Sequence, residues 1–285
     1  MNHELKKTYE TMANHSELGR QSDFDTTYNP NRLYPIARAP KREEINLDPA
    51  TITFYGFDCW NHYEVSWLNP KGKPVVATAV ITYDCHTPCI IESKSLKLYF
   101  NSLNNSVFAD TKTVEQTVAK DIGSRIGGEV SVGITPLSEQ ERLEIAASFN
   151  GICLDDQDID CAIYQVNPDF LETSSEIVEE ILFSELLKSN CLVTNQPDWG
   201  SVQIAYRGRK IDHAGLLRYI VSFRNHNEFH EQCIERIFAD IMTRCQPESL
   251  TVYGRYTRRG GLDINPYRST EPDFPKNNNV RLIRQ

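Results

Sequence analysis

Ile91, Glu92, Leu96, Tyr99, Ser102 and Asn105 fall on Ile211, Asp212, Leu216, Tyr219, Ser222 and Asn225, every pair 120 residues apart. Without a gap, Val114, Glu115, Val118 and Ala119 then meet Ile234, Glu235, Phe238 and Ala239, and Val132 meets Val252. Apolar positions of amphipathic helices coincide by chance, whereas polar residues shared in the same frame mark a duplicated unit.

Each copy has the same order of elements. In the first, a strand near Tyr63–Trp67, an Asn69-Pro70-Lys71-Gly72 turn and a β-branched run at Val75–Tyr83 predict a hairpin. Helices follow at Ser93–Leu103 and Thr111–Ile126, where apolar residues recur at helical spacing, and then a strand at Glu129–Ile134. In the second copy an extended stretch at Leu192–Tyr206 precedes helices at His213–Phe223 and Glu228–Arg244 and a strand at Leu250–Tyr256. A repeated ββααβ unit predicts an α+β fold in two layers, antiparallel sheet on one side and helix pairs on the other. The expected domains are an amino-terminal arm over 1–50, a first module over 51–136, an acidic linker over 137–180 and a second module over 181–285. The linker aspartates, Asp155, Asp156, Asp158 and Asp160, do not follow the ligand order of an EF-hand loop.

Thirty Lys+Arg against 39 Asp+Glu give a net charge of −9, which opposes a broad nucleic-acid or anionic-membrane surface. No stretch reaches the roughly 18 to 20 apolar residues of a membrane span, and MNHELKKTYE lacks the apolar region of a secretory signal. The expected partner is a small molecule and the expected location cytoplasmic. The eight cysteines are scattered and are expected to be reduced, mostly as small buried hydrophobes. Cys85-His86 with Cys89 lacks the second ligand pair of a zinc ribbon, so no metal is expected there.

Residues needed for chemistry should differ between the copies. Cys191 does, since its counterpart is Lys71. It lies in a Pro- and Gly-containing, loop-like segment with Asp198 seven residues on, near enough for a turn to return the carboxyl group to the thiol. A buried packing cysteine and a turn-forming aspartate fit that spacing equally well. A second cluster, Asn227 to Cys233, holds His230-Glu231, but Ile234 stands where a zincin needs its second His. His226 and His230, four apart, could share a metal if both were helical, though no third ligand is evident. Glu231 can compensate a helix dipole or accept two parallel N–H bonds from a guanine-like edge. A third cluster, Arg255 to Pro266, joins Arg255, Arg258 and Arg259 to Gly260-Gly261 and suggests a phosphate site, to which Lys94 and Lys97 add charge. No G-x-G-x-x-G fingerprint occurs.

Glu92 to Tyr99, Ser189-Asn190-Cys191 with Gln196 to Gly200, Phe229 to Cys233, and Tyr256 to Pro266 together resemble the 7-cyano-7-deazaguanine reductases, the nitrile reductases of queuosine biosynthesis, in their long two-module form. The resemblance runs from about Tyr63 to the carboxyl end. It implies tandem tunnelling-fold modules, each an antiparallel sheet backed by two helices, assembled into a homodimer. It further implies Cys191 as the nucleophile forming a covalent thioimide and Asp198 as general acid. Ile91, Glu92, Ser93, His230 and Glu231 are implied to hold 7-cyano-7-deazaguanine, and Ser93, Lys94, Arg259 and Gly260 to contact NADPH, two molecules per turnover, without a metal. The two other readings are a zinc-dependent pterin or purine cyclohydrolase of similar fold and a purine-binding module without catalysis.

Overall fold

A computed structural model describes residues 24–47, 54–141, 144–273 and 279–285. The first 23 residues of the expected arm, and 48–53, lie outside the described residues. The described residues form two compact units, the first drawn from 24–44, 57–141 and 258–263, the second from 45–47, 54–56, 144–257, 264–273 and 279–285. No helix among the described residues is long and apolar enough to cross a membrane.

The first unit opens with strand β1 (Pro35–Ala37) and helix α1 (Ala39–Glu44). Strands β2 (Tyr55–Leu68) and β3 (Pro74–Asp84) form the hairpin, closed where Asn69 Oδ1 accepts from the Lys71 and Lys73 amides. Strand β4 (Cys89–Ile91) pairs with β1, helices α2 (Ser93–Leu103) and α3 (Thr111–Ile126) follow, and β5 (Val130–Pro136) runs antiparallel to β3. The α3 face bearing Val114, Val118, Ile122 and Ile126 is buried, each side chain contributing about 1.5–3 kcal/mol. Asp110 caps the helix start through the Thr113 amide, and Gly127, at φ 78°, ends it.

The second unit contains β6 (Ile145–Ala146), β7 (Ile152–Cys153), β8 (Thr173–Ser184), β9 (Lys188–Asn190) and β10 (Pro197–Ile211). After these come α4 (His213–Ser222), α5 (His230–Cys245), β11 (Ser249–Tyr256), β12 (Leu262–Ser269), whose first two residues belong to the first unit, and β13 (Arg281–Leu282). Strand β10 is antiparallel to β8 and to β11, and β11 to β12. The stretch expected as an acidic linker thus supplies β6, β7 and most of β8.

The 120-residue repeat is visible as hydrogen bonds. Glu92 and Asp212 are the N-caps of α2 and α4. The Tyr99 hydroxyl donates to Asp121 at 2.7 Å and that of Tyr219 to Asp240 at 2.7 Å, while Ser102 and Ser222 each donate to the carbonyl of their own tyrosine at 2.6 Å. Three of the polar pairs that betrayed the duplication are thus caps and helix ties. The repeat also reaches further back than the sequence frame showed. Asn29-Pro30 and Asn167-Pro168 each start a 3-10 turn whose asparagine amide donates to Ser102 or Ser222, and Leu33 and Leu171 are buried after it. Residues 24–44 therefore pack within the first unit, and part of the linker opens the second.

Candidate active site

Within the second unit, Cys191 follows directly on β9. Its amide donates to the Gln196 carbonyl at 2.8 Å, and its carbonyl accepts from the Asn195 amide at 3.1 Å. Asn195 closes this tight loop with φ 55°, a left-handed conformation that asparagine tolerates better than most residues. Leu192–Thr194 are turn rather than the expected strand, because the return to Gln196 satisfies the backbone before Pro197 starts β10. Cys191 is only 6% exposed.

Asp198, on β10, is 3% exposed and pairs with Lys188-containing β9 through the register Asp198 to Ser189. Its Oδ1 stands 3.3 Å from His230 Nε2. The His230 ring lies flat on Tyr256, with centroids 3.9 Å apart and planes at 11°, and its Nδ1 is buried with no hydrogen-bond partner among the described residues. Burial, with Cys233 and Asp198 nearby, pushes the Tyr256 hydroxyl well up, so it stays protonated. Glu231, 2% exposed, occupies the first turn of α5.

That helix begins at His230, two residues later than the periodicity predicted. The Glu228 amide donates to the Asn190 carbonyl and Asn227 forms a parallel bridge with Asn190, so the backbone there is extended. Phe229 is the N-cap, and Gln232 reaches back to accept its amide at 3.4 Å, the second half of a capping box. His226 consequently lies outside the helix. Its Nε2 faces Glu228 at 2.9 Å while that of His230 faces Asp198, so the two rings do not converge as a ligand pair.

The remaining candidates belong to the first unit. Ile91 ends β4, and Glu92 uses both carboxylate oxygens at the start of α2, accepting from the Lys94 amide at 2.7 Å and the Ser95 amide at 2.8 Å. Burial pushes the Glu92 carboxyl up, opposed by those amides and by the charges of Lys97 and Lys94. Gly260 and Gly261 turn with φ 57° and 78°, and a Cβ on Gly260 would stand 2.9 Å from Lys97 Nζ. The left-handed backbone is what favours glycine here, since the lysine tip can shift to make room for a Cβ. Arg258 stacks over Tyr63 at 4.5 Å, leaving Arg259, whose backbone closes the turn onto Leu262, as the neighbouring cation. The two left-handed glycines lie between opposite charges, Gly260 against the Lys97 ammonium and Gly261 against the Glu64 carboxylate, whose Oε2 a Cβ there would meet at 2.8 Å. Nearby His62, 2% exposed, has its pKa pushed down to about 4 by burial.

Asp84, Cys85 and His86 bring one ligand atom each within 4.8 Å of one another, although Asp84 Oδ1 already bonds the His86 ring at 2.8 Å. Tyr256 as the platform under His230, and the His226–Glu228 pair, were not singled out from sequence. A helix periodicity carried on to Glu228 hid the second.

Comparison with known proteins adds the chemistry. Residues 24–134 match the family model described as nitrile reductase, 7-cyano-7-deazaguanine-reductase N-term, and residues 197–273 match one described as QueF-like protein. An NADPH-dependent 7-cyano-7-deazaguanine reductase of Legionella pneumophila (strain Lens) is 72% identical over 285 residues, covering 100% of both chains. Enzymes of the same name from Dechloromonas aromatica (strain RCB) and Azoarcus sp. (strain BH72) are 54% and 53% identical, over 95% and 92% of this chain and of their own. With its whole length covered at such identity, the chain belongs to the family of NADPH-dependent 7-cyano-7-deazaguanine reductases.

Proposed function

We propose that this oxidoreductase reduces the nitrile of 7-cyano-7-deazaguanine to the aminomethyl group through a covalent thioimide on Cys191. The observation that carries the mechanism is the grouping, in one unit, of a looped and nearly buried Cys191 with a buried Asp198 held 3.3 Å from His230 and followed by buried Glu231. The Cys191 thiolate attacks the nitrile carbon and forms the C–S bond. Asp198, the general acid, delivers a proton to the nitrogen, and His230 beside it can restore that proton. NADPH supplies the two hydrides, one per molecule. After the first addition, C–S cleavage returns the thiolate and leaves an imine, which the second addition and further protonation convert to the amine. Water exclusion by the buried site protects the imine from hydrolysis.

Glu231, with His230, is assigned to the deazaguanine, whose paired N–H groups suit a buried carboxylate. Ile91, Glu92 and Ser93 are assigned to the same ligand on the family resemblance. Ser93, Lys94, Arg259 and Gly260 are assigned to NADPH on the family resemblance, with Lys97 Nζ against the Gly260 turn as a further cation. The family resemblance also supports tandem tunnelling-fold modules, a homodimer in the cytoplasm, and turnover without nucleic acid, membrane or metal.

The test is intact and peptide mass spectrometry of the protein mixed with the nitrile in the absence of NADPH. One substrate mass on the Cys191 peptide is expected, with none on a Cys191→Ala protein. Cys191→Ser should fold normally and lose turnover, since an alcohol is a poor nucleophile without a strong base. An adduct persisting in Cys191→Ala would overturn the assignment.

A further inference from the structure

The segment that leads into α5 is tied to the thiol loop by two devices that the reduction chemistry does not use. The first is a chain of side-chain hydrogen bonds running in one direction. Lys188 Nζ donates to Asn190 Oδ1 at 2.6 Å, Asn190 Nδ2 donates to Asn227 Oδ1 at 3.1 Å, and Asn227 Nδ2 donates to Asn195 Oδ1. Each amide accepts through oxygen and donates through nitrogen, so the lysine fixes the orientation of the three that follow it. Cys191 lies between the second and fourth members, and Asn195 is the residue that closes its loop.

The second device is buried. Glu228, 1% exposed, accepts from Arg236 through both oxygens, at 2.9 and 3.1 Å, and faces His226 Nε2 at 2.9 Å. Burial alone would raise its carboxyl, but Arg236 and His226 outweigh burial and hold it well below the usual range. Arg236 sits within α5, whose first turn carries His230 and Glu231. Glu228 thereby locks the 226–229 segment to the helix, while its backbone amide and that of Asn190 lock the same segment to β9.

We propose that residues 226–229 form a clasp in which Asn227 and Glu228 are positioning residues, setting the Cys191 loop against the α5 start that holds His230 and Glu231. The clasp rests on the assignment of Cys191 and His230 to catalysis. It fixes two catalytic groups, one on a loop and one on a helix, through a third segment bonded to both. Thiol attack on a nitrile held by α5 then depends on the clasp, whereas access of a small alkylating agent to the thiol does not.

The experiment measures three quantities in full-length wild type, Asn227→Ala and Glu228→Gln. These are the rate of adduct formation at saturating 7-cyano-7-deazaguanine without NADPH, the rate of Cys191 alkylation by iodoacetamide, and the melting temperature. Asn227 is only half-buried, so Asn227→Ala is expected to fold even if Glu228→Gln, which leaves Arg236 without its carboxylate, does not. Displacement of reacting groups by a fraction of an ångström predicts adduct formation slowed about tenfold or more, with alkylation changed far less. An adduct rate in Asn227→Ala within about twofold of wild type overturns the clasp, as does a parallel fall in both rates, which would mean general loosening of the loop. A wild-type adduct that maps to a residue other than Cys191 fails differently, because it sinks the catalytic reading and the clasp together.

Discussion

Both carboxylate oxygens of Glu92 are engaged by amides of the helix they cap, in a site 1% exposed, and the same residue is assigned to the nitrile substrate. One substitution separates the two roles. Glu92→Gln keeps a single acceptor and turns an N–H toward a backbone N–H, so it should cost about 0.5–2 kcal/mol of stability, the range of a lost N-cap. Because an ionised carboxylate has further lone pairs beyond those the cap uses, nitrile affinity should fall as well. Thermal melting and calorimetry with the nitrile measure the two effects independently. A fall in stability alone would leave Glu92 a cap and remove it from the substrate residues. The duplicated frame already hinted at this ambiguity, since Asp212 occupies the equivalent position and caps α4 through the Gly215 amide at 2.8 Å.

Among the elements, the glycine turn after Arg259 makes the sharpest demand on sequence. Gly260 has φ 57° and its Cβ position is 2.9 Å from Lys97 Nζ, so Gly260→Ala meets backbone strain of about 1–2 kcal/mol and a shifted lysine tip. The expected result is a several-fold rise in the Michaelis constant for NADPH, while adduct formation with the nitrile, which needs no NADPH, keeps its rate. Unchanged NADPH kinetics would return the turn to a structural role. Elements of this kind differ in how plainly they can be read. Helices α2 and α3 were legible to the residue because caps, apolar spacing and the αL glycine at Gly127 agree. The start of α5 was not, because Glu228 continues a helical pattern yet its amide donates to the Asn190 carbonyl, while Asn227 Oδ1 accepts from Asn190 Nδ2, a partner 37 residues away that no local spacing reveals. The same holds at the candidate site. Cys191, Asp198, His230 and Glu231 were proposed from motifs that resemble a family, but the flat stacking of His230 on Tyr256 is a tertiary contact between a helix start and a strand end.

At the scale of the whole chain, the duplication visible in sequence is not a simple succession of two folded halves. The first unit takes residues 258–263 from the far end of the sequence, where the Gly261 carbonyl accepts from the Tyr63 amide at 2.9 Å and from His62 Nδ1 at 2.9 Å. In the same place Asp263 accepts from Asn61 Nδ2 at 2.7 Å and from the Tyr63 hydroxyl at 2.7 Å. Without this segment, strand β2 keeps buried polar groups and loses their partners, at about 1–3 kcal/mol for each, a large part of the 5–15 kcal/mol that holds an ordinary domain together. Cutting the chain between the repeats should therefore give no autonomous first module. A 1–142 fragment is expected to lack a cooperative melting transition, whereas the intact chain should melt cooperatively. Adding a 143–285 fragment in trans should restore order to 1–142 in proportion to its concentration, because it returns residues 258–263. Amide exchange at Asn61–Tyr63 reports this directly. Strong protection of those amides in the isolated 1–142 fragment would mean that the first unit is complete without the borrowed turn, and that the exchange of segments is incidental to its folding.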